Sequence, residues 1–474
     1  MPVTRAEENC LTKEEQQAGI HLGCQGKITG DVRISIESEE GETAQILGSA
    51  EGEKFHSGTP GEGIFDRGDG FCGVAVDIGT TTLAFSLVDF VSKKVIHSYA
   101  CMNPQRVFGF DVMSRIQASN QGMGQKLKKL IQKELVRGIN TLLKEKDIPV
   151  EKVKKIILSG NTTMLHLLRG YSCQGLGAAP FIPVSLGREV LSYKEVFDSE
   201  EITAEVMLPP GASAFIGGDI ISGLFACRWQ EKKEISLFLD LGTNGEMALG
   251  NWDSFFTAST AVGPAFEGGN ITFGTGSVKG AVSHARYSKG KLQVDTIMGG
   301  TPTGICGTGL IEITAELLKA GIIDQTGRLS EEYFETGFPV AKKENGEIIR
   351  LFQKDIRELQ LAKGAVRAGI EVLLKKMGIG YGDVKQVYLS GGFGFYLPRE
   401  KAADIGLLPE ELINKMTGVG NTSLKGAEDC LFREDAEEVL NKIAAGAKGI
   451  SLAKEPDFQE FYLKYMDFPA KERK

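Results

Sequence analysis

The sequence lacks several signatures that would fix its class at once. Its eight cysteines include no C-x-x-C or comparable close pair, which predicts reduced thiols rather than a disulfide framework or a self-contained zinc site. No apolar run reaches the length of a membrane span, and the opening residues are charged where a signal peptide would be apolar. We therefore expect a cytoplasmic protein without a membrane partner.

Common nucleotide-binding and nucleic-acid-binding signals are also missing. There is no GxxxxGK[ST] loop, and no convincing GxGxxG opens a βα unit. The formal net charge is -8 and no basic tract is dense, which argues against a nucleic-acid partner. What the chain does contain is length and glycine: 474 residues, 42% of them hydrophobic, with 60 glycines. Such a chain can bury a large core in more than one lobe.

Internal similarity predicts the fold. The stretch "VAVDIGTTTLAFSLV", which begins at Val74, returns as "LFLDLGTNGEMALG" at 237–250, each a strand, an Asp, a Gly-Thr turn and a second strand. Similarly, "EKVKKIILSGNTTMLHLL" at 151–168 returns as "GDVKQVYLSGGFGFYL" at 382–397, each a strand that ends in Ser-Gly. Two motifs repeated in the same order predict a duplicated two-lobe α/β fold with a cleft between the halves.

The two Asp-Gly-Thr hairpins suit a polyphosphate in that cleft. Glycine lets the backbone approach closely, while turn N-H groups and threonine hydroxyls donate to phosphate oxygens. An acidic residue at the strand end would repel phosphate unless a cation lies between them, so Asp77 and Asp240 imply Mg²⁺ held partly through water. Each hairpin taken alone is equally compatible with an ordinary turn.

At this point the residues carry a family resemblance. The hairpins and the Ser-Gly-Gly strand resemble the acetate and sugar kinase, Hsp70 and actin (ASKHA) superfamily, whose ATPase fold is actin-like or ribonuclease H-like. From about residue 73 onward, a longer series of motifs resembles the ATP-dependent reductive activators of corrinoid enzymes. The motifs are "DIGTTT", "NPQRVFGFDVMSRI", "SGNTTMLHLLRG", "GGDIISGLFA", "DLGTNGEMALGN", "STAVGPAFEGGNI", "GICGTGLIE", "LQLAKGAVRAGI", "SGGFGFYL" and "IGLLP".

The resemblance implies an ATPase that helps an electron reach the Co(II) of an inactive corrinoid protein and restores Co(I). It implies two lobes, at 71–218 and 219–474, with Mg-ATP bound between them. A homodimer is also expected, from the resemblance alone. Carried over by motif, the first phosphate loop would comprise Asp77, Gly79, Thr80, Thr81 and Thr82, and the second Asp240, Gly242, Thr243 and Asn244. The adenosine side would comprise Gly391, Gly392, Phe393 and Gly394.

Three positions keep two interpretations each. Asp219 is the first candidate for the carboxylate that orients the attacking water, but it could equally cap a helix. Glu246 is the second candidate for this role, but it could equally be a solvated residue of the hairpin. Gly307 opens a helix that could approach the nucleotide or simply pack closely. Likewise, "NPQRVFGFDVMSRI" at 103–116 could form a partner-facing surface or cap a helix.

The N-terminal part departs from the family pattern. Residues 11–36 resemble the end of a plant-type ferredoxin domain, and Cys24 matches the last ligand of its [2Fe-2S] cluster. Only Cys10 precedes Cys24, so the chain alone is not expected to hold a cluster. We predict a ferredoxin remnant at 1–36, a flexible linker at 37–70, and no middle domain between ferredoxin and ATPase.

The sequence therefore leaves more than one possible electron source and more than one possible function. The chain could be shortened, could be a cluster-free member that takes electrons from a separate ferredoxin, or could complete a cluster between chains. A metabolite phosphotransferase of the same superfamily would share the hairpins but would leave a phosphorylated product. An ATP-dependent regulatory clamp would bind the corrinoid protein and never reduce it.

Overall fold

A computed structural model describes residues 70–470, and all of these belong to one compact unit. The predicted ferredoxin remnant with Cys24, and nearly all of the predicted linker, lie outside the described residues.

Runs of strands are separated by helices along the described chain. The strands are β1 (Cys72–Ile78), β2 (Thr82–Asp89), β3 (Val95–Met102), β4 (Val153–Gly160), β5 (Glu189–Ser192), β6 (Glu205–Leu208), β7 (Ser236–Leu241), β8 (Asn244–Gly250), β9 (Phe255–Ala261), β10 (Ala281–Ser288), β11 (Lys291–Thr296), β12 (Gly304–Ile305), β13 (Phe338–Lys342), β14 (Ile348–Leu351), β15 (Gln386–Ser390), β16 (Met416–Gly420) and β17 (Ala447–Ile450).

The α-helices are α1 (Val112–Ala118), α2 (Gly124–Glu145), α3 (Thr162–Arg169), α4 (Tyr193–Phe197), α5 (Gly218–Ala226), α6 (Gly307–Lys319), α7 (Glu331–Phe334), α8 (Gln353–Met377), α9 (Gly391–Phe395), α10 (Arg399–Asp404), α11 (Thr422–Cys430), α12 (Ala436–Gly446) and α13 (Pro456–Met466).

Two six-stranded sheets share one five-stranded topology, and the sixth strand differs, since β5 pairs with β6 in the first sheet and β17 pairs with β9 in the second. The first has the order β3-β2-β1-β4-β6-β5, and the second the order β16-β15-β7-β8-β9-β17. In the first sheet, β1, β2 and β3 form an antiparallel meander, β1 pairs in parallel with β4, and β4 pairs in parallel with β6. In the second sheet, β7, β8 and β9 form the same meander, β7 pairs in parallel with β15, and β15 pairs in parallel with β16. The duplicated α/β fold predicted from the repeated motifs is therefore confirmed.

The repeat explains the local sequence as well. Each predicted Asp-Gly-Thr stretch is a tight turn between two strands of a meander, β1 to β2 and β7 to β8. Each Ser-Gly stretch ends the parallel strand beside it, where Ser159 or Ser390 lies next to an Asp of the neighbouring strand in register. Because the carboxyl ends of parallel strands meet at one sheet edge, these polar groups gather at one place in each half.

A shared core lies between the two sheets. Apolar residues of both sheets pack there against α5, α11 and α12, for example Ile157 from β4, Phe238 from β7 and Leu424 from α11. Separate apolar cores cover the outer face of each sheet. Helices α5 and α11 thus lie in the layer that joins the halves.

Helices α5 and α11 approach each other closely at two glycines. A Cβ built on Gly426 would lie 2.0 Å from the carbonyl oxygen of Ser222, and one built on Gly223 would lie 2.7 Å from Thr422 Oγ1. No side chain can stand at such distances, so the two helices can pack this closely only with glycine at the contact.

We expect Gly426→Ala to destabilise the protein. The added methyl group must push α11 away from α5, at a cost of about 1–3 kcal/mol that exceeds the gain in helix propensity. Urea unfolding measures the free energy of unfolding. Gly449→Ala is the control, because a Cβ at Gly449 meets nothing within 4 Å. An unchanged unfolding midpoint for Gly426→Ala would contradict the close helix contact.

Candidate functional site

The predicted first phosphate loop is anchored by its backbone carbonyls. Asn103 donates its side-chain Nδ2 to the Gly79 carbonyl at 2.8 Å and its backbone N-H to the Thr81 carbonyl at 2.8 Å. Arg115 donates a guanidinium N-H to the Thr80 carbonyl at 2.6 Å. Three successive carbonyls of the loop are thus hydrogen-bonded by residues outside it, while the Thr81 hydroxyl donates to Glu267 of the second half.

Both anchors belong to the segment 103–116, whose role was open between a surface and a cap. The structure shows that it caps and also supports the loop: Asn103 accepts from the Gln105 N-H, and Asp111 accepts from the Ser114 N-H at the start of α1. Arg115 is fully buried, and burial lowers its pKa to about 10, so its cation persists at neutral pH beside the phosphate loop.

The second loop mirrors the first. The Gly242 N-H bonds to the Asn244 carbonyl at 2.9 Å, which closes the turn, and the Thr243 carbonyl accepts from the Gly263 N-H at 3.0 Å. The Thr243 hydroxyl donates to Glu267 Oε1 at 3.0 Å. The Thr81 hydroxyl donates to the other oxygen, Glu267 Oε2, at 3.4 Å. The predicted loops therefore face each other, bridged by a carboxylate that the sequence analysis did not identify.

The two strand-end aspartates receive different donors. Asp77 accepts from Asn421 Nδ2 and from Ser423 Oγ, both at 2.8 Å and both from the start of α11 in the other half. Asp240 accepts from Ser390 Oγ at 2.9 Å, the serine of the repeated Ser-Gly motif.

Hydroxyl groups continue this network beneath the carboxylates. Ser390 also contacts Thr422 Oγ1 at 2.6 Å, and Ser159 contacts Ser423 at 2.9 Å and Ser222 at 3.2 Å. These residues lie on β4, β15, α5 and α11, so the network links the two sheet edges through the helices between them.

Four carboxylates form one electrostatic group at the bottom of the cleft. Burial is the main cause of a raised pKa at all four, to about 8 for Asp219 and about 6 for Asp240, with Asp77 and Glu246 also raised. Mutual repulsion adds to it: Asp77 and Asp240 raise the pKa of Asp219, and Asp219 and Asp240 raise that of Glu246. Such a group favours a cation, which would restore the charged forms.

The two candidates for orienting water flank this group. Glu246 lies directly opposite Asp240 in the β7–β8 register, so both side chains are on one face of the sheet. Asp219 lies in the first turn of α5, whose N-cap is Gly217, and its Oδ1 accepts from the Ile220 N-H. The N-cap interpretation of Asp219 is therefore wrong. Which of the two carboxylates orients water stays a prediction.

The predicted adenosine side lies beside the second loop. Gly391 has a φ of +82°, and a Cβ there would lie 2.8 Å from Asp240 Oδ1, so glycine lets this turn approach the carboxylate. The Phe393 ring stacks on Phe266 with centroids 4.3 Å apart. Gly307 packs against the Phe266 backbone, since its Cβ would lie 2.0 Å from that carbonyl oxygen. Close packing accounts for Gly307, and its contact with nucleotide stays a prediction.

Among residues 70–470, no three His, Cys, Asp or Glu side chains converge as a direct metal site. The assignment of Asp77 and Asp240 to a Mg²⁺ ion stays a prediction. Within the same residues, no helix is both long and apolar enough to cross a lipid bilayer.

Two family descriptions match almost the whole described region. Residues 234–474 match the C-terminal domain of RACo, the ASKHA domain, and residues 72–232 match the RACo middle region. These define the chain as an ASKHA-type protein with the actin-like α/β fold. The chain belongs to the RACo family.

Named relatives agree with this assignment. The chain is 31% identical over 415 residues to the corrinoid activation enzyme RamQ of Eubacterium limosum, covering 82% of this chain and 69% of the relative. It is 28% identical over 427 residues to the [Co(II) methylated amine-specific corrinoid protein] reductase of Methanosarcina barkeri, covering 82% of this chain and 76% of that protein.

A solved structure shares the same arrangement. The chain is 34% identical to the reductive activator for corrinoid, iron-sulfur protein, with a TM-score of 0.76. This match covers 84% of the chain and 66% of the activator, so the chain spans about two thirds of that protein's length.

The comparisons correct one expectation. The middle domain was predicted to be missing because only the Gly/Glu-rich residues 37–70 separate the predicted ferredoxin remnant from the predicted ATPase. The family description instead gives the name middle region to residues 72–232, which form the first half of the duplicated fold. The region is present, and the predicted lobe boundary at 218/219 stays a prediction.

The raised pKa of Asp219 predicts a pH-dependent stability in metal-free and nucleotide-free buffer. The folded protein retains a proton that the unfolded chain loses above about pH 4, so the wild-type loses stability as the pH rises toward 8. Asp219→Asn cannot ionise. We expect its stability advantage in thermal unfolding to grow from near zero at pH 5 to about 2 kcal/mol at pH 8.5, after discounting for solvent screening.

The exposed Asp253→Asn serves as the control and should follow the wild-type at every pH. An Asp219→Asn protein whose advantage is the same at pH 5 and pH 8.5 would show that Asp219 ionises normally.

Proposed function

We propose that the chain is an ATP-dependent reductive activator of a corrinoid protein. In this function, ATP binding and hydrolysis help an external electron convert the Co(II) corrinoid to Co(I). The observation that carries the proposal is the pair of threonine loops, Thr81 from one half and Thr243 from the other, that face each other and share Glu267. The printed names of the relatives, a corrinoid activation enzyme and a corrinoid protein reductase, support the substrate.

The residues of the cleft suit phosphoryl transfer to water. This reaction needs positioning and charge neutralisation more than covalent help. Phosphate oxygens would be bound by the threonine hydroxyls of the first loop, Thr80, Thr81 and Thr82, and by the Thr243 hydroxyl and the Asn244 amide of the second. Asp77 and Asp240 would hold Mg²⁺ through water. When bound, Mg²⁺ neutralises phosphate charge and favours ionised carboxylates.

Asp219 or Glu246 would then accept a hydrogen bond from the attacking water. Both have a raised pKa in the nucleotide-free protein, so each becomes a useful acceptor once a cation favours its charged form. The adenosine group would lie along Gly391, Gly392 and Gly394 beside the Phe393 ring, which the stacked Phe266 already orients.

The halves provide a natural conformational switch. Phosphate contacts from both loops favour a closed cleft, and hydrolysis removes the contact that joins them. We propose that closure presents the corrinoid partner with a state that accepts an electron from a separate donor such as a ferredoxin. A homodimer remains an expectation from family resemblance.

The decisive experiment measures phosphate release and the visible spectrum of cobalt together. The purified chain is mixed with Mg-ATP, a reductant and a Co(II) corrinoid protein. We expect phosphate release to rise with the corrinoid protein and the Co(II) band to decay. A phosphorylated metabolite would instead indicate a phosphotransferase, and hydrolysis without any cobalt change would indicate a regulatory clamp.

Asp77→Ala and Asp240→Ala test the assignment of the loops. Each change removes a carboxylate that would hold the cation, so we expect hydrolysis to fall by roughly 100-fold. Circular dichroism should show an unchanged fold, because both side chains lie in the cleft and keep some solvent contact. Asp253→Ala, in an exposed turn, is the matched control. Wild-type hydrolysis by either cleft variant would refute the loop assignment.

A further inference from the structure

Glu267 occupies a position that no other carboxylate of the cleft has. It ends the short turn Pro264–Glu267 that follows β9, and its two oxygens take hydrogen bonds from Thr243 and Thr81. It also lies over the second loop, since a Cβ built on Gly242 would be 3.8 Å from Glu267 Oε1. One side chain thus accepts from the hydroxyls of both halves.

The backbone that carries Glu267 is held firmly. Phe266 stacks on Phe393, and its carbonyl packs against Gly307. On the other side, the Gly268 N-H bonds to Ala265 and Gly269 packs against Pro264. The Glu267 side chain itself is exposed. It can therefore leave the hydroxyls by side-chain rotation while its backbone stays in place.

A carboxylate and a phosphate compete for the same donors. A threonine hydroxyl has one proton to donate, so it cannot serve Glu267 and a phosphate oxygen together. The two anions would also repel each other at this distance. A phosphate group bound by both threonines must therefore displace the Glu267 carboxylate.

We infer that Glu267 is a specificity-determining residue whose carboxylate holds the two threonine hydroxyls until a terminal phosphate displaces it. The inference rests on the proposed binding of ATP in this cleft. With adenosine beside Phe393, the phosphate that reaches hydroxyls from both halves is the one at the far end of the triphosphate. ADP lacks this group, so it binds without displacing Glu267.

This role gives ATP and ADP different responses to one substitution. Glu267→Gln keeps the shape of the side chain but removes the charge that competes with phosphate. We expect ATP to bind about fivefold more tightly to the variant than to the wild-type, the effect of one ordinary hydrogen bond, while the affinity for ADP changes less than about twofold. Isothermal titration with Mg-ATP analogue and Mg-ADP measures both affinities.

Amide hydrogen exchange gives a second readout. Without nucleotide, the loops 79–82 and 242–244 should exchange faster in Glu267→Gln than in the wild-type, because the bridge between them is weakened. With saturating ATP analogue, the two proteins should exchange alike. Glu434→Gln, at an exposed site beyond the opposite end of α11, is the control and should match the wild-type in both experiments.

Three results would overturn the inference while leaving the proposed function intact. An equal gain in affinity for ATP and ADP would show a general charge effect. Weaker binding of ATP would show that Glu267 helps to hold the nucleotide. Unchanged affinities and unchanged exchange would show that the bridge has no role. A wild-type protein that binds neither nucleotide would overturn the proposed function itself.

Discussion

The carboxylate of Asp77 is the polar group that ties the candidate site to the arrangement of the two halves. It lies at the end of the first described strand, yet both of its side-chain donors, Asn421 and Ser423, come from α11 near the end of the chain. A partly buried carboxylate costs free energy unless donors replace the water that it loses. The first half therefore satisfies its central acid only when the second half is folded against it. The glycine contact between α5 and α11 is what allows α11 to come so close.

Sequence reasoning was effective where the signal was local. The hairpins around Asp77 and Asp240 and the strand ends at Ser159 and Ser390 are short patterns repeated in order, and repetition predicted both the topology and the facing loops. Donors such as Asn421 were not predictable, because nothing in their own neighbourhood shows that they meet an acid at the other end of the chain. Arg115 was also missed. Its segment was recognised as a motif, but a buried guanidinium that binds backbone carbonyls has the same sequence pattern as a surface arginine on a helix.

Glu267 shows a different limit of sequence reasoning. It stands in "VGPAFEGG", between residues that are small or apolar, and a single acidic residue in a turn normally indicates solvent exposure. Exposure is indeed what the structure shows, but the solvent it faces is the cleft between the two loops. Gly307 kept two interpretations in the sequence, and the structure shows the close packing, because a Cβ there would meet the Phe266 carbonyl. Burial and exposure acquire functional meaning only after the two halves are placed together.

The duplicated halves are not equivalent, and their difference bears on how the cleft could work. Asp77 takes two donors from the opposite half, whereas Asp240 takes one from Ser390 in its own sheet. Any opening of the cleft that separates α11 from β1 would therefore remove donors from Asp77 and leave the Ser390 bond to Asp240 intact. Opening would also admit water, which would replace those donors, and a bound cation would favour the charged carboxylate. Under the proposed function, Asp77 would both hold the halves together and help to bind the nucleotide's cation, so ligand binding and interlobe geometry would be coupled.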